Sequence, residues 1–260
     1  MDTRTIAFAS SLLLVATASI AQSNSPEPDY TLSVNAGAVS DYRVRGIAQT
    51  SFQPAVQAGA DFAHKSGVYA GTFASNVKWV KDFNLATKGS YELDLYAGFK
   101  DAITSDLSFD VGVINYRYPG NNSGAAETPG AGLFANANTT EIYGALTYKI
   151  YTFKYNRSVS NFLGNIDSHG SQYFDLSAAV DLGSGFTLTP HIGRQLVPNQ
   201  ALPADYTDAS LTLAKDLGNG LVLTGAVMGT NADRSFYTDS NGRFLGRKAL
   251  VVGAKYTFSL

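Results

Sequence analysis

The feature that most constrains this chain is a two-residue alternation of apolar and polar side chains, repeated in segments of about ten residues. Leu32, Val34, Ala36 and Ala38 alternate with Ser33, Asn35 and Gly37. Val56, Ala58, Ala60 and Phe62 alternate with Gln57, Gly59 and Asp61, and Tyr91, Leu93, Leu95, Ala97 and Phe99 with Glu92, Asp94, Tyr96, Gly98 and Lys100. The same rhythm runs through Leu107–Val113, Phe174–Leu182 and Leu250–Leu260. Successive side chains of a strand point to opposite faces, so each segment has one apolar and one polar face.

The spacing predicts strands near 30–42, 54–64, 67–76, 89–100, 106–118, 139–148, 152–160, 172–182, 185–195, 205–216, 220–230 and 247–260. In 67–76 and 220–230 both faces carry apolar residues, and the parity stays open. The connections alternate between tight turns, such as His64-Lys65-Ser66-Gly67 and Leu182-Gly183-Ser184-Gly185, and long polar stretches such as 43–53 and 119–138. Outer-membrane barrels have short periplasmic turns and longer external loops. The expected fold is therefore all-β: a transmembrane antiparallel up-and-down barrel of about twelve strands with both termini periplasmic.

Composition agrees. Charged residues make up 15% of the chain, against roughly a quarter in soluble proteins, and the mean hydropathy of −0.05 is too low for a bundle of membrane helices. After the N-terminus no apolar run reaches the length of a spanning helix, and a closed sheet is the other structure that satisfies its backbone in lipid. A soluble sandwich also alternates, but its turns need not sort by length. A net charge of −2 argues against nucleic acid as a partner, and the lack of cysteine excludes disulfides, thiol catalysis and thiolate metal sites.

Ile6 to Ala18 is an apolar run of export-signal length, and Ser19 and Ala21 place small residues before a cleavage point after Ala21. The expected organisation is a cleaved signal over 1–21, a periplasmic lead-in over 22–29 with Pro26 and Pro28, and the barrel over 30–260. Gly253, Tyr256 and Phe258 follow the glycine-and-aromatic pattern that barrel assembly machinery reads on final strands, although the chain ends on Leu260.

The stretch Ser40-Asp41-Tyr42-Arg43-Val44-Arg45-Gly46-Ile47-Ala48-Gln49-Thr50, with Pro54-Ala55-Val56-Gln57 and the run from Gly67 to Val77, resembles the Gcw_chp family, also labelled TorF-family porins, of Gram-negative bacteria. The motif block covers about residues 33–77, and a looser likeness in strand spacing continues to the C-terminus. Ala58 departs from relatives that carry a second glycine there. The resemblance implies an outer-membrane barrel with no established substrate and brings no catalytic residues.

Parity places Asp41, Arg43 and Arg45 on the lumen side near the external mouth, and Asp61, Glu92, Asp94, Asp110, Glu141 and Asp175 on the lumen faces of other strands, with Lys154 and Lys255 as bases. Such a lining focuses ions and small polar solutes; alternatively, the charges pair and fill a narrow barrel. Asp41 beside two arginines also reads as an ion-pair network fixing the strand end. The long loop 119–138 either folds inward to constrict the pore or stays on the surface. Tyr42, Phe83, Tyr116, Tyr118, Tyr148, Tyr151, Phe153, Tyr173, Tyr206, Tyr256, Phe258 and the single Trp79 lie near strand ends, where aromatics form interfacial girdles.

The expected function is passive diffusion of small hydrophilic solutes or ions, without cofactor, metal or catalysis. Its partners are outer-membrane lipid, lipopolysaccharide and the assembly machinery, and the barrel is expected to act as a monomer. The second reading is a structural or adhesive barrel with a filled lumen and working loops. A third is a lipid hydrolase using His169 and Ser171, for which no orienting acid or amide stands nearby.

Overall fold

The computed structural model describes residues 28–260 and, before them, only the short antiparallel pair Ala7–Ala9 and Leu12–Leu14. The signal expected over 1–21 otherwise lies outside the described residues, as does most of the lead-in.

Twelve antiparallel strands close into one barrel. They are β1 (Tyr30–Val39), β2 (Ala55–His64), β3 (Val68–Asn76), β4 (Tyr91–Ala102), β5 (Leu107–Arg117) and β6 (Thr139–Tyr148). β7 (Tyr151–Ser158) follows, then β8, which is broken at Ala179 into Gln172–Ala178 and Val180–Gly183. The round ends with β9 (Phe186–Leu196), β10 (Tyr206–Asp216), β11 (Leu221–Thr230) and β12 (Ala249–Ser259). Each strand pairs with its sequence neighbours, and β12 returns to β1 with Tyr256 opposite Ala36 and Phe258 opposite Val34. Closure leaves no unpaired sheet edge, as a lipid environment requires.

The alternation sorts as the sequence predicts. Leu95, Val111, Leu176, Ile192, Leu211 and Val252 are exposed on the outer wall, which in a membrane faces acyl chains. On the two strands of open parity, Tyr69, Gly71, Phe73 and Ser75 face inward from β3, and Val222, Thr224 and Ala226 from β11.

Tight turns gather at one end. Ser184-Gly185 joins β8 to β9 with both residues at positive φ, the twist that a two-residue hairpin needs. All the long connections gather at the other end, and one of them folds inward there. The stretch 40–54 leaves β1 after Val39 and folds into the barrel as a miniature hairpin, Arg43–Val44 against Ile47–Ala48. Its turn holds Arg45 and Gly46 at positive φ, and a Cβ at Gly46 would strike Thr230 and Asp208 of the wall. Two helical turns, α1 (Trp79–Asp82) and α2 (Arg234–Tyr237), pack above it.

Tyr42, Val77, Trp79, Val80, Tyr116, Tyr118 and Ala137 form one buried apolar cluster there. Ile47, Ala48, Tyr206, Tyr237 and Leu245 form a second. Each large apolar side chain sealed in this way contributes roughly 1.5–3 kcal/mol, so this end is a packed core. The expected girdle is corrected accordingly: Tyr42, Tyr116, Tyr118, Tyr173, Tyr206 and Trp79 are buried and point inward. Outward aromatics remain near the turn end, where Tyr148, Tyr151, Phe153, Tyr256 and Phe258 are exposed.

Candidate functional site

The lumen changes character along its axis. Toward the turns a group of acids and tyrosines is half-buried, although Thr152, Lys154, Thr189 and Lys255 are buried there too, and near the loops the polar groups are sealed. Asp61, Tyr69, Tyr96, Asp110, Tyr143, Asp175 and His191 belong to the first zone. Glu92, Asp94, Glu141, Asn156 and Gln195 belong to the second, with Asp41, Arg43 and Arg45 of the plug.

In the half-buried zone, tyrosines lie along the wall over glycines. Tyr69 is opposite Gly98 and Tyr96 opposite Gly71 in the β3–β4 register, and Tyr143 is opposite Gly112 across β5–β6. A Cβ at any of these glycines would overlap the facing tyrosine. Laid flat, the rings carry their hydroxyls to acids: Tyr69 donates to Asp110 at 2.5 Å and Tyr96 donates to Asp61. Gly98→Val is expected to push Tyr69 off the wall and cost about 1–3 kcal/mol, as overpacking does, read by urea unfolding of the refolded barrel. Unchanged stability would mean that the ring is not held in this way.

His191 stands between two acids, with Nε2 at 2.8 Å from Asp175 and Nδ1 at 3.6 Å from Asp208. The Tyr173 hydroxyl reaches Asp208 at 3.1 Å. Lys154 lies 4.0 Å over the Tyr143 ring and faces Asp175 in the β7–β8 register.

The loop-end plug is held by its arginines. Arg43 pairs with Asp41 at 2.7 Å and donates to the carbonyls of Gly46 and Arg247, tying the hairpin to itself and to the segment before β12. Arg45 crosses the lumen. Its two terminal nitrogens donate to both oxygens of Glu141, at 3.1 and 2.6 Å, and one also donates to Gln195 at 2.8 Å. Its guanidinium lies over the Tyr173 ring at 4.3 Å. With side-chain exposures of 5% and 1%, the Arg45–Glu141 pair is shielded from water.

Tyr42 of the plug donates to Glu92 at 2.5 Å. Burial raises the Tyr42 hydroxyl well above its ordinary pKa, and Glu92 and Asp94 raise it further, so it stays a protonated donor.

The structure carries Asp61 on β2, Glu92 and Asp94 on β4, Asp110 on β5, Glu141 on β6 and Asp175 on β8, with Asp41, Arg43 and Arg45 in the 40–54 segment, and they do not form one ring. Asp41 and Arg43 make the local pair anticipated for the strand end, whereas Arg45 leaves them for Glu141. The inward connection is 40–54; the segment 119–138 packs over the mouth, with Phe134 against Phe83 and bridged to Asn165. Sequence reading missed Asp208, Gln195 and Asn156, although Asp208 shares the parity of Tyr206, opposite to Leu211 and Leu213. Ser171 is buried with its hydroxyl on the Ser168 carbonyl, and His169 is exposed, so the two do not form a nucleophile–base pair.

A family model described as "Bacterial protein of unknown function (Gcw_chp)" matches residues 21–258. No curated protein matches the sequence. Among solved structures, a KdgM porin in complex with disordered oligogalacturonate aligns at 7% identity with a TM-score of 0.55, over 88% of this chain and 99% of that one. A NanC porin aligns at 10% identity with a TM-score of 0.52, over 86% of this chain and 98% of that one. At such identities the likeness establishes the fold alone, a closed antiparallel β-barrel like those of these porins.

Proposed function

The chain belongs to the Gcw_chp family of bacterial proteins, and from that premise we propose that it is a passive outer-membrane channel for small hydrophilic solutes or ions, narrowed at its external end by the 40–54 plug. The observation that carries this reading is a closed barrel whose lumen is lined by charged and hydroxyl groups, one of them a plug arginine latched across the bore. A wall built only to be filled could be apolar throughout, whereas polar groups held along a lumen favour water and ions.

In this reading the long loops face outward, both termini are periplasmic, residues 1–21 are a cleaved export signal and 22–29 a lead-in. The exposed outer wall meets lipid and lipopolysaccharide as a monomer, after insertion by the assembly machinery. No step requires a cofactor or covalent chemistry.

The half-buried zone is acidic. Asp61, Asp110 and Asp175 are more accessible than Lys154 and Lys255. Fixed charge of one sign concentrates the opposite ion, so the channel prefers cations. Exchanging Asp61 and Asp175 for asparagine is expected to lower the cation-to-anion permeability ratio, measured as a shift in reversal potential across a salt gradient. A ratio unmoved by the double change would remove these acids from the conduction path.

The filled-lumen reading draws on the sealed plug end, where Glu141, Asn156 and Gln195 are almost wholly buried. It predicts a silent bilayer whether or not the Arg45 latch is present, which separates it from the channel reading.

A further inference from the structure

The charges on the outer wall are unevenly placed. At the loop end, Arg117 of β5, Arg157 of β7 and Arg194 of β9 each lie within the last few residues of their strand and are exposed. Alternation turns all three outward, because Tyr116, Asn156 and Gln195 beside them are buried on the inner face. Lys248, exposed just before β12, packs against Gly229 of β11 and continues the row. The acids carried by strands at this end, Glu92, Asp94, Glu141 and Asp208, are all buried.

Arg117 and Arg157 form no ion pair among the described residues. Arg117 donates to the Asn115 side chain at 2.6 Å, a neutral partner. Arg194 lies 3.9 Å from Asp205, with both side chains almost half exposed, so that pair is weak. The outer face at this end therefore carries positive charge that the barrel itself leaves largely unbalanced.

The surface beside and below the arginines is apolar. Ile142 is opposite Arg157 in the β6–β7 register, and Phe174 is opposite Arg194 across β8–β9. Val113 and Ile192, further down the same outward faces, are exposed. Tyr155, the next outward residue below Arg157, donates its hydroxyl to Gln172 at 2.9 Å. Rings with an apolar body and a polar tip favour the membrane boundary. The arginines thus stand where acyl chains give way to head groups.

Guanidinium geometry suits phosphate, which it can hold through two parallel hydrogen bonds. The three arginines occupy alternate strands, so neighbours are about 9–10 Å apart across the wall. A head group with one phosphate meets one arginine at a time. One that carries several phosphates can engage neighbouring arginines together, the second contact being intramolecular. We propose, on the reading that the long loops face outward, that Arg117, Arg157 and Arg194 form a docking arc for the phosphates of lipopolysaccharide in the outer leaflet.

The test titrates purified lipopolysaccharide into the full barrel, refolded in zwitterionic detergent, and follows the shift of the folded band on a native gel. The parent is expected to bind, and to bind dephosphorylated lipopolysaccharide and phosphatidylglycerol micelles more weakly. A basic residue beside an anionic lipid surface strengthens binding about fivefold. Replacing all three arginines by glutamine is therefore expected to weaken binding by at least about fiftyfold, and Lys215→Gln, at the turn end of β10, to leave it unchanged. Should the triple variant fail to fold, Arg157→Gln alone is expected to weaken binding about fivefold.

A parent that does not bind, or that binds phosphatidylglycerol as tightly, overturns the proposal. So does equal binding by parent and triple variant, or by parent and Arg157→Gln where the triple variant does not fold. An equal loss from Lys215→Gln also overturns it, as a general response to net charge. Conductance in bilayers free of lipopolysaccharide keeps this result apart from the channel reading. Current steps without lipopolysaccharide binding strike the arc alone, and binding by a silent barrel strikes the channel while supporting the arc.

Discussion

Replacing Arg45 by alanine is expected to destabilise the barrel by about 3–5 kcal/mol, the usual consequence of removing one partner of a buried ion pair, and to raise its conductance. Arg45 holds Glu141 with two charge-assisted hydrogen bonds and Gln195 with a third. Glu141 also accepts from Asn156 at 3.2 Å, which cannot neutralise it. Without the arginine, a sealed carboxylate is left uncompensated and the hairpin loses its tie across the lumen.

Trp79 is the only tryptophan and is buried in the cluster above the plug, so its fluorescence during urea unfolding reports the packing of this end. Arg45→Ala combined with Glu141→Gln removes both charges. The double variant is expected to recover much of the stability while keeping the raised conductance. An Arg45→Ala barrel as stable and as conductive as the parent would mean that the latch is neither structural nor in the path.

The second large effect lies on the outer wall. Leu211 is in the middle of β10 and exposed outward. In a bilayer an arginine there costs about 2–4 kcal/mol, and near the interface about 0–1 kcal/mol. Leu211→Arg is therefore expected to lower stability in lipid vesicles strongly, and Leu217→Arg, in the exposed turn between β10 and β11, to change it little. On a water-facing wall both replacements would fall within about 0.5 kcal/mol of neutral. Equal and small effects at the two positions would contradict a membrane-spanning wall.

The strands were legible in the sequence because one physical rule, period-2 alternation, acts on each segment alone. The expected segments 139–148, 172–182 and 205–216 differ from the observed strands by a residue or so at the ends. The same rule carried information that an appeal to interfacial aromatics obscured. Tyr116 shares the inward parity of Asp110, and Tyr206 that of Asp208, so their burial followed from position. The broken β8 at Ala179 left no comparable mark in the alternation.

The plug was legible only in part. Parity continued past Val39 leads to an expectation of Asp41, Arg43 and Arg45 on the lumen side of a longer strand, whereas the strand ends at Val39 and these residues belong to a short hairpin. The partners of Arg45 lie on β6 and β9, far along the chain, and become neighbours only when the barrel closes. Length drew attention to 119–138 as the inward candidate. What distinguishes 40–54 is its compact turn at Arg45-Gly46 and the small Ala48, which let backbone fit inside a narrow bore.

Current across a planar lipid bilayer, recorded under a salt gradient with the refolded parent and its Arg45→Ala variant side by side, tests the central claim most directly. The account predicts small discrete steps from the parent, larger steps from the variant and a reversal potential of the sign set by cation preference. Bilayers that stay silent with both proteins, while native gel mobility and Trp79 fluorescence confirm that the barrels are folded, would contradict a channel and leave a filled barrel whose loops carry the function.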